Sequence, residues 1–133
     1  MVSEYRVESR SSFEELCSRV PEIVSKNGFA VLAEIKTSEI MKSKGFDYAN
    51  LRTYDICNAS YASRALGLDQ RVETIVPCHL VVKGVGEHAE VSAQMPSGLF
   101  ESLHKEKSNE MEGFLTEVEK KLKRIVDNIA NGE

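Results

Sequence analysis

The sequence predicts an α+β domain with a mostly antiparallel sheet of five strands, backed on one face by its first and last helices. Three observations carry this reading. Five short β-prone stretches are distributed along the chain, two long segments bear apolar stripes at steps of three and four, and Gly84-Val85-Gly86 joins two of the β-prone stretches as a hairpin. At 133 residues the chain is long enough for one hydrophobic core and too short for two, so a single domain is expected.

Tyr5-Arg6-Val7-Glu8 alternates like an edge strand and runs into Ser11-Ser12-Phe13-Glu14-Glu15, where the Ser-x-x-Glu capping pattern occurs twice. The helix that starts there carries Phe13, Leu16, Cys17, Val20 and Val24 on one stripe and stops at Asn27-Gly28. Pro21 interrupts it. A proline inside a helix costs about 3 kcal/mol, so a kink or a restart is expected at that residue. Phe29 to Ile35 reads as a strand, after which Thr37 or Ser38 is the expected cap of a short helix ending at Gly45. In Leu51 to Cys57 the period of two places Tyr54 and Ile56 on one face and Thr53, Asp55 and Cys57 on the other.

Asn58 offers its side-chain oxygen to the start of a helix over Ala59 to Leu68, whose stripe is Tyr61, Ala62, Ala65 and Leu66. Val72 to Val82 is the most β-prone run, but Pro77 cannot donate a ladder bond, so the regular strand is expected to begin near Cys78. Ala89 to Gln94 is its antiparallel partner across a slightly long loop. A short apolar patch, Leu99, Phe100 and Leu103, and a polar link, Lys105 to Asn109, lead to the last helix. Its stripe, Met111, Leu115, Val118, Leu122, Ile125 and Ile129, is expected to cover the sheet of its own chain rather than form an intermolecular coiled coil.

Charge and composition exclude several function classes. Seventeen basic against 21 acidic residues leave a net charge of −4, which gives no general attraction for a phosphate backbone or an anionic lipid surface. Nucleic acid and membrane are not the expected partners. No apolar run approaches the roughly 20 residues that cross a bilayer. Three cysteines cannot all pair within one chain and MVSEYRVESR lacks the apolar core of a signal peptide, so a reducing cytoplasm is the expected location.

Gly28-Phe29-Ala30-Val31-Leu32-Ala33-Glu34-Ile35, then Asp55-Ile56-Cys57-Asn58, then Ile75-Val76-Pro77-Cys78-His79-Leu80-Val81-Val82 resembles, in order and spacing, the family called domain of unknown function 302. The resemblance spans about residues 5 to 96. It implies a β-α-β(4)-α layout similar to the TATA-binding-protein-like architecture, with short helices inserted between strands, and it implies no established activity; a shared architecture says nothing about DNA binding. Two positions depart from the family pattern. Ala59 stands where the family usually has Pro, at a first helical position that tolerates Ala, and Lys36 stands where members often have Asp, which moves the expected cap to Thr37 or Ser38.

Among residues able to carry chemistry, Cys57 is foremost, because it immediately precedes a helix start whose unsatisfied amides favour a thiolate. The competing reading is a small apolar residue at a strand end. Cys78 lies in phase with Leu80 and Val82 and reads as a core position, Cys17 lies on the buried stripe, and His79 points with Val81 to the face opposite Cys78. Cys57, Asn58, Cys78 and His79 are therefore the candidate binding residues. No Cys-x-x-Cys or His-x-x-x-His spacing surrounds His88 or His104, and a set of Cys57, Cys78 and His79 would supply only three metal ligands. Gly84-Val85-Gly86 has no following helix and no Lys-Ser/Thr, so it is no phosphate cradle, and no nucleophile elbow is present. No motif names a cofactor.

The leading expectation is a noncatalytic module that binds a small apolar ligand or a protein partner on the open sheet face. A thiol-dependent redox or metal-handling protein using Cys57 and Cys78 is the alternative. Exposed strand edges and the near-heptad last helix add the expectation of a homodimer.

Overall fold

The computed structural model describes residues 4–104 and 106–133. Its elements are β1 (Glu4–Ser9), α1 (Phe13–Lys26), β2 (Ala30–Ile35), α2 (Thr37–Ser43), β3 (Leu51–Cys57), α3 (Ala59–Leu68), a 3₁₀ turn (Gln70–Thr74), β4 (Cys78–Val85), β5 (His88–Gln94), α4 (Pro96–Leu103) and α5 (Asn109–Asn131). The five strands form one antiparallel sheet in the order β1-β5-β4-β3-β2. Lys105, at the start of the polar link, lies outside the described residues.

Opposed residues of neighbouring strands share a sheet face. Leu80 faces Tyr54 and Ala93, Val82 faces Val91, and Val91 faces Val7, so these side chains make the inner face, on which α1 and α5 pack side by side. Leu16, Val20, Val24, Tyr54, Leu80, Val91, Leu122 and Ile125 are all buried in one continuous core.

The capping box forms at the second of its two possible registers: Ser12 Oγ accepts from the Glu15 amide and Glu15 Oε1 from the Ser12 amide, each at 3.2 Å. Ser11 Oγ instead accepts from Arg19. The expected break at Pro21 does not occur, and α1 runs through it with Pro21 exposed. Six buried side chains anchor this helix, at roughly 1.5–3 kcal/mol each, which outweighs the proline.

Two further expectations are corrected. Neither Thr37 nor Ser38 caps α2; the Ser38 hydroxyl is engaged by the Leu51 backbone, accepting from its amide at 2.9 Å and donating to its carbonyl at 3.2 Å. The regular strand begins at Cys78, as expected, and ahead of it residues 70–74 form a 3₁₀ turn started by Asp69. Val72 and Ile75 are both buried, and a three-residue turn sets such a pair on one side, where a strand would oppose them. The hairpin loop is tight rather than long, because Val85 pairs with His88 and leaves only Gly86 and Glu87 to turn, Gly86 at φ 62°.

The patch at Leu99 and Phe100 becomes helix α4, with Pro96 in its first turn. Helix α5 starts at Ser108, whose Oγ accepts from the Met111 amide at 3.0 Å, and ends at Gly132, φ 81°. Phe114, Val126 and Ala130 are buried alongside the six stripe residues, so α5 presents a wide face to its own sheet and not a narrow coiled-coil seam. The near-heptad pattern is thus used inside the chain.

Candidate functional site

Where β3 and β4 end beside α3, the packing leaves a cavity of about 60 Å³. Ile56 and Cys78 from the strands, Ala65 from α3, Ile75 after the 3₁₀ turn, Phe100 from α4 and Phe114 from α5 all contribute to its walls. The hollow has a local cause in α3, whose wall positions Ala62 and Ala65 are too small to fill the space between the strand ends and α5. Tyr61 props the same space open by standing edge-on to Phe29 and Phe114, with ring centres 5.9 and 5.8 Å away.

Asn58 holds the mouth of this cavity in place. Its Oδ1 accepts from the Tyr61 amide at 3.0 Å and its Nδ2 donates to the Gly28 carbonyl at 2.9 Å, tying the start of α3 to the turn before β2. Both ends of the side-chain amide are thereby engaged by backbone. Pro77 immediately precedes β4, as the missing donor requires, and lines the cavity together with Cys78. Burial pushes the Cys78 thiol up to about 12, and the neighbouring Cys57 adds to the rise, so at neutral pH Cys78 is a protonated, apolar wall. The lining is almost entirely apolar. A cavity of this size has room for a water but lacks the two to four polar partners that hold one.

The other face of the sheet is polar. Cys78 lies opposite Ile56 and so belongs to the inner face, whereas His79 lies opposite Asp55 on the outer one. Cys57, the last residue of β3, pairs with Ala30 of β2 and lines the cavity with Asn58 and Cys78. Cys57 and Cys78 thus sit on adjacent strands at the same end of the sheet, as expected, and both line the cavity. His79 Nδ1 and Asp55 Oδ1 are 2.5 Å apart, with the imidazole 42% and the carboxylate 20% exposed. Further along this face Arg6 pairs with Glu90 at 2.6 Å, and Thr53, Val81 and Ser92 occupy the middle row.

Sequence reading placed His79 on its correct face but missed Asp55 as its partner. The only signal was that Asp55 and Cys57 share a phase on β3; the pairing itself depends on the register between β3 and β4. Among the described residues no group of three or more His, Cys, Asp or Glu side chains is arranged to hold a metal ion.

The fold and these sites define an α+β protein with an antiparallel sheet covered on one face, an apolar cavity at one sheet end and a polar outer face. The family described as "Domain of unknown function DUF302" matches residues 5–129, and the chain belongs to that family. A solved structure of an uncharacterized conserved protein DUF302 from Bacillus stearothermophilus is similar to it at 23% sequence identity, with a TM-score of 0.88 over 97% of this chain and 99% of that one. That likeness shows the fold alone. No curated protein matches the sequence.

Proposed function

We propose that the protein is a noncatalytic binding module that takes the small apolar end of a ligand into the cavity between α3, α4 and α5. The observation that carries this reading is the apolar lining around about 60 Å³ of space beside the strand ends. An apolar cavity of about 150 Å³ stays dry and binds benzene, so the smaller volume here suits a branched aliphatic tip rather than a ring. This apolar hollow moves the expected site from the open sheet face to the helical side. Candidates Asn58 and Cys78 then serve as frame and wall. Native mass spectrometry of protein taken directly from cells is expected to show a retained small molecule that is absent from an Ala62→Leu variant, in which the new side chain fills the mouth. Identical unliganded masses for both proteins would reject the reading.

Self-association along β2 is the partner interaction we favour. This strand is one of the two outer strands of the sheet, and Leu32 and Ile35 are exposed at 61% and 39%. Ile35 and Ile40 line one shallow groove beside Glu34 and Lys36. Antiparallel pairing of two copies about Ile35 would set Glu34 of one against Lys36 of the other, so charge complementarity favours a second copy there. Sedimentation equilibrium at micromolar concentration is expected to give a dimer that Ile35→Lys converts to a monomer. A monomer for the unmodified chain would reject this interface.

A further inference from the structure

A second, smaller hollow adjoins the apolar cavity at the end of the sheet. Ile75, Pro77, Cys78 and Pro96 wall both, and the smaller one adds His79 and Gln94 to its lining. Leu80 stands opposite Ala93 on the inner face, so one step toward the sheet end His79 and Gln94 stand side by side on the outer one. The His79 Nδ1 proton is directed to Asp55 Oδ1 at 2.5 Å, which leaves Nε2 of the neutral, half-exposed ring as an acceptor. The exposed Gln94 side-chain amide brings two N–H donors beside it. Carboxylates flank this pair on both sides, Asp55 next to His79 and Glu4 opposite Gln94, so an anionic group is repelled here. Each carboxylate also has its own partner, His79 for Asp55 and Arg6 for Glu4 at 3.0 Å. The polar end of the double hollow therefore suits a neutral group that donates one hydrogen bond and accepts another.

We propose that the two hollows form one elongated site for a short branched aliphatic alcohol, with its tip in the apolar cavity and its hydroxyl between His79 Nε2 and the Gln94 amide. The hydroxyl donates to Nε2 and accepts from Gln94. This polar end completes, and depends on, the site for an apolar tip proposed above. Cys78 and His79 are consecutive residues, with Cα atoms about 3.8 Å apart, so a few methylenes carry the ligand from one hollow to the other. Two of the shared walls are Pro77 and Pro96, which have no backbone N–H, so methylenes passing between them strand no donor there.

The probes are 4-methylpentan-1-ol, its methyl ether and 4-methylpentanoate, which share one branched tip and differ in the head group. Each is titrated into the intact chain at pH 8 and followed by backbone amide NMR. The alcohol is expected to shift the Ile75 and His79 signals together and to bind about fivefold more tightly than the ether, which cannot donate, and than the carboxylate. His79→Phe keeps a ring on the solvent face and removes the acceptor, so it should lower the affinity of the alcohol to that of the ether and leave the ether unchanged. Ala62→Leu is expected to abolish binding of all three probes. An alcohol that binds no more tightly than the ether or the carboxylate, or that is unaffected by His79→Phe, would overturn the hydroxyl site and leave the apolar tip site standing. No binding of any probe to the unmodified chain would overturn both.

Discussion

The side-chain amide of Asn58 donates to the Gly28 carbonyl at 2.9 Å, so the residue that caps α3 also clasps the turn that ends α1. Its oxygen is committed to the Tyr61 amide at the same time. Asn58→Ala is expected to destabilise the protein by about 1–2 kcal/mol, the sum of a lost cap and a lost hydrogen bond. Asn58→Asp keeps the cap acceptor and loses the donor, so it should cost less. Urea titrations of the two variants check the order; equal costs would mean that the cap acceptor contributes nothing, and an undiminished stability of Asn58→Asp that the Gly28 bond contributes nothing.

Glu119 plays a comparable role for α4. Its Oε2 accepts from both the Ser97 amide, at 2.7 Å, and the Ser97 hydroxyl, at 2.5 Å, so α5 supplies the missing N-terminal cap of a helix whose own N-cap residue, Met95, has no side-chain acceptor. Glu119→Ala is expected to cost about 1–2 kcal/mol and to accelerate hydrogen exchange at the Ser97 amide. Exchange unchanged at Ser97 would remove the cap assignment.

Leu122 is fully buried where α5 meets the sheet and α1. Leu122→Ala should cost about 2–5 kcal/mol, the range for a truncated core leucine. A loss below 1 kcal/mol in urea titration would show that α5 is loosely docked on the sheet.

The Arg71 guanidinium beside Asp69 holds that carboxyl at about 2, helped by the Arg71 amide that the same carboxylate accepts. Because the folded value lies below the ordinary one of about 3.9, the interaction stabilises the fold above the ordinary value and is lost as pH falls through about 2. A carboxyl-carbon NMR titration is expected to place the Asp69 midpoint near 2 in the unmodified chain and well above it in Arg71→Ala. Identical midpoints would show that the pairing does not hold in solution.

Local pattern was enough for the strand phases, the long helices and the Asn58 cap, because each follows from periodicity or from a hydrogen bond spanning three residues. It put Cys78 inward and His79 outward, and it located the start of β4 from the missing donor of Pro77. Tertiary structure decided the rest. Val72 to Ile75 has strand propensity, yet turns as 3₁₀ because Val72 and Ile75 must both reach the core beside α3. The continuity of α1 through Pro21 and the appearance of α4 depend on burial and on Glu119, which lies 22 residues from the serine it caps. The cavity exists because small residues of α3 meet the strand ends and α5, segments remote in sequence. Asp55 and His79 are 24 positions apart and meet only through the β3–β4 register. A period of two specifies the face of each residue, but which residues stand opposite one another is set by packing of the whole sheet against α1 and α5.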